Sequence, residues 1–293
     1  MIWGLSGKVR NLNTGYGWIL VAGAAWGSVG IFASLLLASG LTLMDVVWFK
    51  EITCFICLLP LVIKQEGALP RIKKEDIKFF AGYAFVESIL YNLFYFSAIR
   101  LVGASLAVVL VYTAPAFAVV IGKVAFGERI SRQKIMAVVL CFTGAFLVSE
   151  GYNLSAMGFN KTGVLLGLGA GFAYAVYGFC AKTARRHYSV WVTSLYANGF
   201  GVVYFSILRL VDGFTLKTLS AYQLALVVGI GVWGSLVPLI TYGRGIKLVE
   251  MGKAPIVASV ELVVGVVLAR VLLGERLNMV QILGVLVIMA TAG

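Results

Sequence analysis

About ten apolar stretches, most long enough to cross a bilayer, fill nearly the whole of this 293-residue chain, and the second five echo the first five. Ile99-Arg100-Leu101-Val102 recurs 147 positions later as Ile246-Lys247-Leu248-Val249, and Gly127-Glu128-Arg129 recurs at the same offset as Gly274-Glu275-Arg276. A duplicated unit with an odd number of spans must enter the membrane in opposite orientations in its two copies. The expected fold class is therefore all-α integral membrane: ten transmembrane helices forming two inverted-topology five-helix repeats around a central cavity. The repeats are expected at 1–150 and 151–293. Secondary transporters use this arrangement to rock one half against the other around a midplane site.

Composition agrees. The chain is 61% hydrophobic and only 12% charged, about half the charged fraction of an ordinary soluble domain. The expected spans are 17–39, 44–63, 77–99, 103–125, 134–150, 162–182, 190–211, 222–243, 252–273 and 279–292, against the roughly 20 residues that about 30 Å of hydrocarbon requires. Trp18 to Ser39 is too long for the apolar core of a cleaved leader and lacks a small-residue cleavage site. It reads as the first span. The hinge between repeats is expected at Gly151 to Lys161.

The net charge of +12 is no nucleic-acid footprint, because the basic residues are scattered singly between apolar spans. They report orientation instead. With the N-terminus in the cytoplasm, the cytoplasmic connections hold 17 of the 24 Lys and Arg, and the outer ones hold 6. Arg185 and Arg186 count among the cytoplasmic loop residues, and Lys50 lies within the second span. The rule that basic residues stay inside puts both termini in the cytoplasm and the protein in the cell inner (cytoplasmic) membrane.

Ionisable side chains at membrane depth are costly and normally face a cavity or a partner. Glu87 lies near the middle of the third span and Glu261 near the middle of the ninth. Glu87, Tyr91 and Tyr95 are spaced i, i+4, i+8 and share one helix face, with Ser88 and Asn92 beside them. This stripe either lines a cavity or packs against neighbouring helices with Glu87 neutralised. Glu261 likewise either lines a cavity or fixes its helix as a hydrogen-bonded structural acid. A carboxylate whose water exposure changes also changes its proton affinity, so Glu87 and Glu261 are the proton-coupling candidates.

Glu51 matches Asn198 at the 147-residue offset, a hint that both face a pore. Adjacent helical residues do not share a face, so Lys50 and Glu51 are expected to find separate partners, or Lys50 to snorkel. Trp26, Tyr112, Tyr174, Tyr177 and Trp233 complete the expected cavity lining. Trp18, Trp48 and Trp191 fall near span ends and read as interface anchors. Gly23 with Gly27, and Gly163, Gly167 and Gly171, form small-residue faces for helix packing. Pro115 and Pro238 either open backbone carbonyls to a cavity or simply kink their spans. Cys54, Cys57, Cys141 and Cys180 all fall in apolar spans, and the only histidine, His187, lies in a basic loop. Neither a metal site nor a cofactor is expected.

These features together resemble the drug/metabolite transporter superfamily, in its ten-helix EamA-type branch. The resemblance covers essentially the whole chain. It is carried by Thr113-Ala114-Pro115 through Gly127-Glu128-Arg129, by Glu261 through Gly274-Glu275-Arg276, and by the run from Ala98 to Ser105. It implies a basket of helices one to four and six to nine around the cavity, with five and ten at the periphery. It also implies export of amino acids or related metabolites. The family commonly has proline after the ninth-helix glutamate, where this chain has Leu262, which puts the expected helix break there in question. Glu128 and Glu275 read as structural, pairing with nearby arginine and helix termini, with gating as the other role.

The expected partners are a small-molecule substrate, the lipid bilayer and a proton or cation gradient, with the protein a monomer or homodimer. Two rival readings remain. One is uptake of a cationic amine such as choline in an aromatic cage of Trp26, Tyr91 and Tyr177. The other is a membrane enzyme or non-transporting scaffold, against which stands the lack of a nucleophile–base or metal constellation.

Overall fold

The computed structural model describes residues 2–102, 104–150, 152, 160–211, 218–272 and 278–292, and all of its regular structure is helical. We number the rods in chain order. They are α1 (Ile2–Ala38), α2 (Leu43–Glu66), α3 (Lys74–Val102), α4 (Ala104–Val111 and Ala114–Phe126), α5 (Arg132–Val148), α6 (Lys161–Ala184), α7 (Val190–Val211), α8 (Ala221–Leu248), α9 (Ala254–Ala258 and Val260–Leu272) and α10 (Met279–Ala292). Eight of these contain a stretch long and apolar enough to cross a membrane; α5 and α10, at 17 and 14 residues, are shorter. The first helix starts at Ile2, well before the expected span at 17, and no proline interrupts residues 2–16. Most of the expected hinge between Gly151 and Lys161 lies outside the described residues.

Local sequence sets the ends. Thr42 and Asp45 form a reciprocal capping box at the start of α2, and Ser220 with Gln223 does the same for α8. Ser131 caps α5 through the Lys134 N–H. At the 147-residue offset, Asn278 accepts the Gln281 N–H at the start of α10.

The packing pairs helices across the midpoint of the chain. α1 lies against α8 and α9, while α6 lies against α3 and α4; α2 packs on α7, and α5 on α10. Renumbering each helix by five returns the same set of pairs. Small residues make the closest approaches. A Cβ on Gly27 would fall 2.4 Å from the Glu261 carbonyl oxygen, and one on Gly171 would fall 2.7 Å from Thr113 Oγ1 and 3.0 Å from the Leu110 carbonyl oxygen. These two contacts bring α1 onto the interruption in α9, and α6 onto the interruption in α4.

Both interruptions carry the same local feature. Thr113 Oγ1 donates to the Leu110 carbonyl at 2.6 Å, and Ser259 Oγ donates to the Ile256 carbonyl at 2.6 Å. A hydroxyl bonded three residues back competes with the helical ladder. In α4, Pro115 also has no N–H to offer the Val111 carbonyl. The break in α9 is present with Leu262 in place, without a proline at that position.

Candidate functional site

Two further backbone irregularities shape the centre. α3 widens into a π-helical turn at Phe85–Leu90, and α8 does so at Val232–Leu236, starting 147 residues later. In each, an N–H reaches five residues back, Tyr91 to Val86 and Val237 to Val232. Such turns insert a residue and rotate the side chains that follow. Here they turn Glu87 and Ser88 from one half, and Gly234 and Ser235 from the other, onto a common cavity.

The cavity, about 330 Å³, is lined by Trp26, Val29, Lys50, Glu51, Cys54, Glu87, Ser88, Tyr91, Asn92, Val111, Tyr174, Tyr177, Asn198, Gly234, Ser235, Leu239 and Glu261. One wall is ionic. Lys50 Nζ lies 3.0 Å from Glu51 Oε1, and Asn198 Nδ2 donates to Glu51 Oε2 at 2.5 Å. Glu51 and Asn198 are equivalent by the 147-residue offset, so this contact lies where the two halves meet. The other wall is acid and aromatic. The Tyr112 phenol donates to Glu261 Oε1 at 2.6 Å, tying the interruption in α4 to that in α9. Tyr91 tilts against Tyr174 at 6.1 Å between ring centroids, and Trp26 meets Tyr174 edge-on at 6.4 Å.

Below this wall, at the end carrying the α6–α7 and α8–α9 connections, an aromatic layer closes the cavity. Tyr177 stacks between Tyr174 and Tyr242, at 6.1 and 5.7 Å, and Tyr83 tilts against it at 5.8 Å. Phe80, Tyr83 and Tyr242 are buried. Under the layer sits Arg185, only 3% exposed, donating to the Ala181 carbonyl. It lies in the turn that follows α6, the connection to which charge counting assigns it, and is buried there. Gly243 permits it: a Cβ there would lie 2.1 Å from Nη2.

The same end carries the first Gly-Glu-Arg run. Gly127, at φ +68°, takes the left-handed cap position after α4, and the Glu128 N–H closes back on the Gly122 carbonyl. The Glu128 carboxylate then accepts the Met251 N–H at 2.6 Å, the Gly252 N–H at 3.2 Å and Lys182 Nζ at 2.9 Å. Lys134 Nζ approaches at 3.4 Å. Burial works against charge on Glu128, but these donors outweigh it and hold its carboxyl below the usual carboxylate range. Its cationic partners are lysines, so the expected arginine pairing is corrected; Arg129 is exposed. Gly274, Glu275 and Arg276 lie outside the described residues.

Of the expected lining residues, the cavity gathers Trp26, Glu87, Tyr91, Asn92, Tyr174, Tyr177, Asn198 and Glu261. Tyr95 stands one layer back, stacked on Tyr91, and Tyr112 stands behind Glu261. Trp233 is a correction: it is 46% exposed on the outer surface, because the π-turn presents its neighbours Gly234 and Ser235 to the cavity. Lys50 is a second correction, since it pairs with its neighbour Glu51. Two flexible side chains in a confined space bend together across the angle that separates them on the helix. Ser235 was missed, although its offset from Ser88 is the repeat offset. The expected anchors Trp18 and Trp191 flank the Arg244 guanidinium at 5.0 and 5.6 Å. All four cysteines are free.

Comparison with known proteins bears on what such a cavity is for. The sequence matches the EamA-like transporter family twice, over residues 13–150 and again over 161–292. It is 26% identical over 290 residues to an uncharacterized transporter of Archaeoglobus fulgidus, covering 99% of this chain and 97% of that one. It is 26% identical over 235 residues, 74% of this chain and 75% of the relative, to a protein of Escherichia coli named "Probable amino-acid metabolite efflux pump". A crystal structure superposes with a TM-score of 0.78 at 16% identity, covering 97% of this chain and 95% of its own, and so shares the fold.

Proposed function

The chain belongs to the EamA-like transporter family of the drug/metabolite transporter superfamily, and from that premise we propose that it exports amino acids or related small metabolites by alternating access, coupled to protons. Ten spans, in two inverted five-helix repeats over 1–150 and 151–293, cross the cytoplasmic membrane with both termini inside. The observation that carries the reading is a cavity assembled from both halves, with an equivalent π-turn from each half contributing to its lining and an aromatic layer sealing one end. Rocking the halves would break that layer and expose the cavity to the other side. The name of the Escherichia coli relative supports amino acids as cargo.

Within this reading, Trp26, Tyr91, Tyr174 and Tyr177 seat the cargo, while Glu87 and Glu261 carry the proton. They belong to different halves, so the rocking motion changes the water access of one relative to the other. Tyr112 keeps Glu261 oriented in the closed state.

A counterflow screen in proteoliposomes, with and without an imposed pH gradient, tests the reading. Exchange of amino acids, with accumulation only under the gradient, is the expected result. Exchange confined to choline and other quaternary amines would replace the cargo assignment with that of a cation carrier. Topology is tested separately: reporters fused at the C-terminus and near Lys161 should read opposite sides, and a common side would overturn the ten-span arrangement.

A further inference from the structure

The ionic wall of the cavity says more about the cargo than the aromatic wall does. Lys50 and Glu51 are the one ion pair that the described residues place on the lining. Glu51 is engaged on both oxygens, by Lys50 on Oε1 and by Asn198 on Oε2. Asn198 thus fixes the carboxylate from the opposite half. Lys50 is held less firmly. An ammonium has three donors, Glu51 is the acceptor within reach, and the lysine side chain keeps 25% of its surface exposed against 13% for its partner. The lysine is the less restrained member of the pair, and its remaining donors have the cavity to turn into.

From this geometry we infer that the Lys50–Glu51 pair is the recognition site for a zwitterion, opening so that Lys50 takes the cargo's carboxylate and Glu51 its ammonium. The inference rests on the exporter reading above and narrows its substrate class. The argument is charge balance in a medium where an uncompensated charge is costly. A zwitterion inserted between the two side chains leaves four alternating charges, all paired. A monoanion would occupy Lys50 and strand Glu51. A monocation would occupy Glu51 and strand Lys50, unless Glu87 or Glu261, which line the same cavity, supplied a compensating negative charge. Unlike either monovalent ion, the zwitterion enters and leaves with no change in the net charge of the site, and unlike an uncharged cargo it gives both side chains an opposite partner. The empty site needs no counterion either, because the pair then closes on itself. Across the cavity, Trp26, Tyr91 and Tyr174 offer an apolar seat for the side chain that an amino acid carries beside its two charges.

The test uses the full chain in proteoliposomes and three probes that share a phenyl group: L-phenylalanine, phenethylamine, which lacks the carboxylate, and hydrocinnamate, which lacks the ammonium. Each competes against labelled L-phenylalanine in counterflow, and binding is read independently by thermal shift. In the wild type, L-phenylalanine should outcompete either analogue by about tenfold or more, the scale of one charge-assisted hydrogen bond. Lys50→Gln should lose L-phenylalanine and close the gap to phenethylamine, whereas Glu51→Gln should close the gap to hydrocinnamate. Lys50→Arg, which keeps the charge, should restore the wild-type order and shows that the position tolerates substitution.

Phenethylamine competing as well as L-phenylalanine in the wild type overturns the inference. So does a Lys50→Gln variant that weakens all three probes alike, which is the mark of a merely structural pair. L-phenylalanine exchange that is indifferent to Lys50→Gln removes the zwitterion site and leaves the exporter standing. A wild type that exchanges none of the standard amino acids removes the exporter reading, and the zwitterion site falls with it.

Discussion

The two halves of the molecule agree in backbone and disagree in chemistry. The π-turns of α3 and α8 begin 147 residues apart, and the interruptions of α4 and α9 fall at Thr113 and Ser259, 146 residues apart. At the equivalent side-chain positions, however, Glu87 faces Gly234, Glu51 faces Asn198, and Glu261 corresponds to Ala114. Hinges have to match if the halves are to exchange roles, so the backbone irregularities persist in both. Charges have to be compensated in low dielectric, so each acid stands in one copy with a neutral residue in the other. Two carboxylates at the Glu51–Asn198 contact would meet at 2.5 Å and could not both ionise.

Erasing that chemical difference should have the largest effect. Glu87→Gln and Glu261→Gln keep shape and remove titration, making the halves more alike. Each should leave counterflow exchange in place, and at least one should abolish accumulation under an imposed pH gradient. The sharper effect is expected of Glu261→Gln, because Glu261 already holds a proton donor, Tyr112, from the other half. If both variants concentrate cargo as well as the parent, the acids are structural and the asymmetry has another origin.

The matched backbone can be attacked next. Gly27 lets α1 reach the α9 interruption, and its added methyl would lie 2.4 Å from the Glu261 carbonyl oxygen; Gly30, on the same helix, has open space. Gly27→Ala should therefore cost about 1–3 kcal/mol, the usual range for overpacking, while Gly30→Ala should be close to neutral. Thermal unfolding in detergent separates them. Equal melting temperatures would mean that the close approach is not needed to hold the break.

How far the sequence revealed this depended on the kind of signal. The duplication and the apolar spans were open to inspection because both leave periodic marks. So were Glu87 and Glu261 as lining candidates, since an acid inside an apolar span is conspicuous. The π-turns were hidden: no residue type encodes one, and Tyr91 stands where α8 has Pro238. Without them, Trp233 was aimed into the cavity and Ser235 was overlooked. The Lys50–Glu51 pair was misjudged from helix-face geometry, which treats side chains as rigid spokes. Arg185 lies in the connection that charge counting gives it, but counting says nothing about the aromatic layer that covers it.

The smallest effect concerns the latch at the sealed end, where the first half holds the second. Glu128 draws the Met251 and Gly252 N–H groups, in the turn before α9, onto the end of α4, with Lys182 of α6 as counter-charge. Its carboxyl is held below the usual range, so the folded state binds this proton less readily than the unfolded chain does. Stability from the latch is therefore complete above the ordinary glutamate value, about 4.3, and is lost as pH falls through the lower value of the folded protein. Glu128→Gln should lower the melting temperature at pH 7 by the equivalent of about 1 kcal/mol, the upper end for a partly exposed ion pair. Below about pH 4 the two melting curves should converge as the wild-type carboxylate protonates. The same substitution should raise the accessibility to thiol reagents of a cysteine placed at Tyr242, because the aromatic layer loses its tether. A gap between the two proteins that persists unchanged into acid would show that Glu128 acts through shape and hydrogen bonding alone, and that the charge of the latch plays no part in closing this end.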